Sequence, residues 1–296
     1  MYVMKISRRD FLKWSVATAV ALKLNLDFEK LNTVLAADTD PPVIWLQGAG
    51  CTGCTVSLLN VTNPVTIDDA LTNKISMKFD STIMSSAGEP AMQALSQAAS
   101  QYNGQFILVV EGSIPTGANG SYCVIGEENG VKVTIRDAVL KYGPMAKYVV
   151  AAGTCAAFGG IPAAAPNTTS CTTVKTLLTG LTKNPVVNLP GCPAHPTVLV
   201  QTLINLILTG IPALDSNNRP TAYYGSTIHV SCPRKGTQQK QPGVIGCYKN
   251  VGCKGQFTNF VCPTLKWNNG LNFCNTSNYP CIGCANTNFP TNPLTN

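Results

Sequence analysis

Apolar residues along the chain fall into short runs separated by polar or Gly- and Pro-rich stretches, and the runs have two periods. Val43–Gln47, Phe106–Val110, Tyr148–Ala152 and Val186–Leu189 are nearly unbroken apolar segments, as expected of strands buried on both faces. Ile75–Phe79 alternates and reads as a further strand. Helical composition lies between them: Val56–Val61, then Glu89–Gln101, rich in Ala, Gln and Met, then Thr134–Tyr142. Pro196–Thr209 is the clearest amphipathic helix, with Leu199, Val200, Leu203, Leu206 and Ile207 on one side and Gly210 as its stop. Alternation of strand and helix from Pro41 to about Pro193 predicts an α/β fold with a parallel sheet covered on both faces. Beyond Gly210, Pro, Gly, Asn, Thr and Cys dominate and periodicity fades. That region holds seven cysteines and little that resembles an ordinary core, so metal or disulfide staples are expected to hold it.

Composition sharpens this picture in two ways. With 296 residues and 45% hydrophobic content the chain can bury a sizeable core. Only 12% of residues are charged, which suggests extensive burial, including against another protein. The formal charge of +7 is spread along the chain rather than clustered, with +3 of it in the first 36 residues, so nucleic-acid binding is not indicated. Those first residues read as an address. Ser7-Arg8-Arg9-Asp10-Phe11-Leu12-Lys13 matches a twin-arginine signal, followed by a modest apolar stretch and small residues around Ala36-Ala37, which predicts a signal peptide over 1–37. No segment reaches about 18 uninterrupted apolar residues, so an exported protein without a transmembrane anchor of its own is expected.

Candidate chemistry begins at WLQGAGCTGC, where Cys51 and Cys54 follow the first strand. The other strands end at Glu111, Cys155 and Cys192. Strand ends of a parallel sheet converge on one crevice, so Cys51, Cys54, Cys155 and Cys192 are expected to form one metal site. The C-terminal region adds His229, Cys232, Cys247, Cys253, Cys262, Cys274, Cys281 and Cys284. His229 lies three residues before Cys232, a spacing that lets both reach one centre. Twelve ligands suit three cubane clusters, with Arg234 and Lys254 close enough to hydrogen-bond sulfur. Zinc and disulfides also fit such spacings, although thirteen cysteines cannot all pair. Twin-arginine substrates cross the membrane folded, so assembled clusters are compatible with export.

The motifs WLQGAGCTGCTVSLLN, FDSTIMSSAGE, VVEGSIP, AAGTCAAFGGI, VNLPGCPAHP, HVSC, GCYKNVGCKG and PCIGC, in that order, make the chain resemble the small, electron-transferring subunit of a [NiFe] hydrogenase. The resemblance implies a flavodoxin-like sheet domain over 38–195 and an irregular, cluster-binding C-terminal domain over 196–296. It implies an oxidoreductase whose active site lies on a large subunit, with this chain relaying electrons to a cytochrome or other acceptor, export by the twin-arginine translocase to the periplasm, and more often hydrogen oxidation than evolution. By matching position, Cys51, Cys54, Cys155 and Cys192 would hold a proximal [4Fe-4S] cluster, and His229, Cys232, Cys247 and Cys253 a distal one. Cys262, Cys281 and Cys284 would hold the medial cluster. Cys274 stands where many exported members have proline, and a fourth thiolate there implies a [4Fe-4S] medial cluster instead of [3Fe-4S].

Glu111 and His195 match positions that shape the site without ligating. Gly53 and Gly160 occupy places where oxygen-tolerant members carry extra cysteines, which implies an oxygen-sensitive enzyme. Cys123 and Cys171 stay outside the three sets, as packing residues or a surface disulfide. Two other readings remain: an iron–sulfur subunit of another oxidoreductase, as in the respiratory complex I lineage, and a disulfide-stapled exported binding protein. Replacing Arg8 and Arg9 by Lys should leave the precursor in the cytoplasm on cell fractionation; undiminished export would refute the twin-arginine assignment.

Overall fold

The computed structural model describes residues 42–290, so the signal segment lies outside the described residues. In chain order the first elements are β1 (Pro42–Gln47), α1 (Gly53–Leu59), α2 (Ile67–Asn73), β2 (Ser76–Asp80), α3 (Gly88–Gln101) and β3 (Ile107–Glu111). Next come β4 (Ile114–Pro115), β5 (Val124–Glu128), β6 (Val131–Thr134), α4 (Ile135–Tyr142), β7 (Tyr148–Ala152) and α5 (Gly153–Phe158). The last are β8 (Cys171–Thr172), α6 (Val174–Leu177), β9 (Val187–Leu189), α7 (Pro196–Leu208), α8 (Thr221–Tyr224) and α9 (Cys262–Leu265).

Five parallel strands form one sheet in the order β2-β1-β3-β7-β9. Counting sheet strands alone, this is the doubly wound flavodoxin-like order, whose ligand crevice lies at the carboxyl edge. The apolar runs are unbroken because successive residues feed opposite faces. Val43, Trp45, Ile107, Val109 and Val150 join one buried cluster, and Ile44, Leu46, Leu108, Val110 and Val149 join the other. The second face is covered by α3 through Met92 and Leu95 and by α4 through Ile135, Val139 and Tyr142. Thr134 caps α4 by accepting from the Asp137 N–H.

The first face is covered by α1, by α7 and by the C-terminal region. Here the structure departs from the sequence reading. The helix α7 is not amphipathic in place: Thr197, Gln201 and Thr202 are buried along with its leucines, and Gln201 accepts from the Tyr223 hydroxyl at 2.8 Å. It lies between sheet and C-terminal region, so no side of it meets solvent along most of its length. Nor does that region lack a core, because Tyr223, Tyr224, Ile228, Phe260 and Phe273 pack into the same cluster as β1, β3 and β7. It does have little regular structure, its α-helices being the four-residue α8 and α9.

Two further differences concern the loops. The helix α1 starts at Gly53, inside the Cys51–Cys54 pair, instead of at Val56, and α5, for which the sequence reading assigned no element, begins directly after β7. An antiparallel hairpin, β5 with β6, fills the stretch after Gly120.

Candidate metal centres

Strand register brings the first group of cysteines together. Gln47 pairs with Glu111, Glu111 with Ala152 and Ala152 with Leu189, so four strands end in one row. The loops beyond that row carry Cys51, Cys54, Cys155 and Cys192. Glu111, at the end of the central strand, is buried and accepts four hydrogen bonds. Oε1 takes the Cys54 N–H at 2.8 Å, while Oε2 takes the Thr55 N–H at 3.0 Å, the Thr55 hydroxyl at 2.6 Å and Trp45 Nε1 at 3.2 Å. The carboxylate therefore caps the start of α1 and fixes Cys54 against the sheet. Thr52, just before α1, has φ 63, a strained conformation for a β-branched residue.

These four thiols lie within electrostatic reach of one another. Burial pushes the Cys54 thiol well above its ordinary range, and charge on Glu111, Cys155 or Cys192 adds to the rise. Burial and Cys192 push Cys155 up to about 11, with Cys51 adding to it, and burial followed by Cys51 raises Cys192. The raised values favour the neutral thiol at Cys54, Cys155 and Cys192, and a metal centre bound there must displace those protons. Counteracting donors point at sulfur: Ala194 N–H to Cys54 Sγ at 3.4 Å and the Ile161 N–H to Cys155. Space is kept open by glycines. A Cβ on Gly153, at φ 84, would sit 2.5 Å from Cys54 Sγ, and one on Gly160, at φ 55, 2.8 Å from Cys155 Sγ. A Cβ on Gly53 would lie 3.0 Å from Cys51 Sγ.

A second group comprises Cys262, Cys274, Cys281 and Cys284. Burial raises Cys262 well above the usual range, with Cys284, Cys281 and Cys274 all contributing. Burial pushes Cys284 up to about 11, and Cys274 acts on it and on Cys281 alike. Cys274 is thus a neighbour of all three others, and it accepts from the Ile282 N–H. In the third group, burial raises Cys232, and Cys253 and Cys247 act on it in the same direction. The Arg234 N–H and guanidinium oppose this rise. The backbone N–H of His229 donates to Gly255 O at 2.8 Å, two residues beyond Cys253.

The groups adjoin. The Cys192 N–H donates to Cys284, and Cys192 and Cys284 also interact as charges. Cys274 and Cys281 both feel Cys253, whose Sγ accepts the Cys281 N–H at 3.3 Å. Among the described residues no three His, Cys, Asp or Glu side chains close round a point tightly enough for a single ion.

Other residues join the groups or pack around them. Thr154, which the sequence reading missed, accepts from the Gly191 N–H at 2.8 Å and donates to Cys284 O, joining the first group's loops to the second. Nothing in the sequence but its place beside Cys155 marks it. His195 is buried with its ring 4.7 Å from that of Trp267, Nε2 bonded to Lys266 O and the ring held neutral by burial. It is part of the packing. Cys123 and Cys171 are free thiols: Cys171 is buried on β8, with Thr169 Oγ1 3.2 Å from its Sγ, and Cys123 packs on the second-face cluster.

The fold and its three cysteine groups can be set beside those of known proteins. Residues 51–206 match the family described as the NADH ubiquinone oxidoreductase 20 kDa subunit. Residues 224–295 match the family of the C-terminal region of NiFe/NiFeSe hydrogenase small subunits, and 5–24 match the twin-arginine signal family. The periplasmic [NiFeSe] hydrogenase small subunit of Desulfomicrobium baculatum is 37% identical, the alignment covering 97% of each chain. The periplasmic [NiFe] hydrogenase small subunit 1 of Nitratidesulfovibrio vulgaris is 36% identical over 96% of this chain and 90% of its own. The solved reduced Ni-Fe-Se hydrogenase of D. baculatum superposes with a TM-score of 0.81 at 39% identity, covering 86% of this chain and 97% of that one.

The chain belongs to the small subunits of [NiFe] hydrogenases. It is an exported twin-arginine substrate, and a large subunit is its partner. Among the described residues no helix is long and apolar enough to cross a membrane.

Glu111→Gln tests the anchoring of the first group. An amide has one acceptor oxygen, so its NH2 would face a backbone donor, a mismatch costing about 1–3 kcal/mol. The variant complex should lose iron more readily under a chelator, with bound iron followed over time. Retention equal to that of the parent would show the carboxylate to be dispensable.

Proposed function

We propose that this chain relays electrons through three iron–sulfur clusters between the Ni–Fe site of the large subunit and an external acceptor, a cytochrome or another redox protein, during hydrogen oxidation. The observation that carries the reading is the contiguity of the three thiol groups, linked at Cys192–Cys284 and at Cys253–Cys281. In this reading Cys51, Cys54, Cys155 and Cys192 hold the proximal [4Fe-4S] cluster. Cys262, Cys274, Cys281 and Cys284 hold a medial [4Fe-4S] cluster, and His229, Cys232, Cys247 and Cys253 the distal [4Fe-4S] cluster. When bound, such clusters accept and release single electrons, which no side chain here can do.

The chain's own groups set the conditions for that exchange. N–H donors aimed at Cys54, Cys155, Cys232, Cys274, Cys281 and Cys284 favour thiolate over thiol. Cys51 and Val56 are exposed beside a cavity of about 620 Å³ that Pro193 and Trp267 help to line, which leaves the proximal end open for the large subunit. We divide the chain into the signal over 1–37, a sheet domain over 38–195 and a medial–distal domain over 196–296. A member of the complex I lineage would account for the match over 51–206 but not for the one over 224–295. A disulfide-stapled binding protein is disfavoured, because the cysteines gather in groups of free thiols.

Iron and acid-labile sulfide should be counted on the anaerobically purified complex, with low-temperature EPR of its oxidised form. About 12 iron atoms from this chain, without a [3Fe-4S] signal, are expected. Cys274→Pro should bring the count to about 11 and introduce that signal. The signal in the parent would remove Cys274 from the ligand set, and absence of iron would end the relay reading. A separate expectation follows from Gly53 and Gly160, which place no extra thiol beside Cys51 and Cys155: hydrogen oxidation should cease in air. Sustained turnover in air would overturn it.

A further inference from the structure

The charge of this chain is segregated by sequence and, once folded, by position. Residues 37–215 carry eight Lys or Arg against eleven Asp or Glu, a net −3. Residues 216–296 contain no Asp or Glu at all and seven Lys or Arg, a net +7. Of those seven, Arg219 is buried and paired with Asp215 at 2.7 Å. Five others, Arg234, Lys235, Lys240, Lys249 and Lys254, cluster at the third cysteine group.

Their attachment to it is through the backbone. The Lys235 N–H donates to Cys232 O at 3.0 Å, the Lys240 N–H to Cys247 O at 3.0 Å, and Lys254 follows Cys253 directly. Lys249 lies two residues past Cys247. Arg234 is held by neutral partners, donating to the Tyr248 hydroxyl at 3.0 Å and to Asn278 Oδ1 at 2.6 Å. Among the described residues none of the five is ion-paired to a carboxylate. Lys235 and Lys249 are exposed. Exposed apolar side chains are interspersed: Val230 beside His229, Ile245 at 74% exposure two residues before Cys247, and Phe257 at 67% four residues past Cys253. Basic side chains interspersed with exposed apolar ones are the composition of a docking patch, where charge steers the encounter and apolar contact holds it.

We propose that this surface docks a redox protein with an acidic face, which receives electrons singly from the distal centre. The inference rests on the relay reading and narrows the acceptor within it: a cytochrome whose haem edge is ringed with lysines is repelled here, and an acidic ferredoxin-like carrier is attracted. No bond is made or broken in the step; the distal centre is oxidised as the carrier's centre is reduced, and protons leave at the large subunit.

The test uses the whole heterodimer with two probes, an acidic [2Fe–2S] ferredoxin and a lysine-ringed multihaem cytochrome c. Binding is measured by calorimetry at low and high salt, and hydrogen-dependent reduction of each probe and of benzyl viologen is followed. Ferredoxin should bind the more tightly, with an affinity that falls as salt rises. The double variant Lys235→Glu/Lys249→Glu should weaken that binding about tenfold while dye reduction stays at the parental rate. Tighter binding of the cytochrome, ferredoxin binding indifferent to salt and to charge reversal, or adsorption to anionic vesicles in preference to ferredoxin would each overturn the proposal. Loss of dye reduction in the parent would count against the relay reading instead, while calorimetry would still decide the surface.

Discussion

The structure hinges on a carboxylate taken out of water. Glu111 ends the central strand with a 2% exposed side chain, and an isolated buried carboxylate costs several kcal/mol. Four donors from two elements offset that cost: Trp45 from β1, and from α1 the backbone of Cys54 and Thr55 and the Thr55 hydroxyl. Because the donors include the first turn of α1, the same interaction that makes the burial tolerable also sets the loop of Cys51 and Cys54 against the strand row. That row then sets the loops of Cys155 and Cys192 side by side, and the hydrogen bonds between Thr154 and Gly191 tie them together.

The C-terminal region depends on the sheet in a different way. Its regular hydrogen-bonded structure is slight, yet Tyr224, stacked 5.0 Å from Phe260, and Tyr223 on Gln201 seat it against α7. Tyr224 also donates to Pro190 O, in the loop that leads to Cys192. Its apolar anchors thus lie on the first-face core, and Cys262 and Cys281 share that core with them, so the second and third cysteine groups are positioned by contact with the sheet more than by their own secondary structure.

Much of this was legible in the chain. Runs such as Val43–Gln47 and Tyr148–Ala152 are apolar at every step because both sheet faces are covered, and that pattern gave the strands and their order of chemistry. Other features were hidden for physical reasons. The start of α1 at Gly53 is stabilised by Glu111, 57 residues away in sequence from Cys54, which no local pattern encodes. The short α5 owes its start to Gly153 at a positive φ beside Cys54. The burial of α7 on all sides depends on a layer of C-terminal residues whose apolar members, such as Phe260 and Phe273, are scattered singly among Asn, Thr and Gly. Thr154 looked like any loop threonine until the fold set Cys284 beside it.

Spatial order also departs from chain order. The ligand candidates run in sequence as first, third and second group, because Cys262–Cys284 come last and yet lie between the other two. The final segment therefore closes the structure: Cys284 meets Cys192 and Thr154 on one side, and Cys281 meets Cys253 and Lys254 on the other. A chain that ended before Cys262 would leave the outer groups with nothing bridging them.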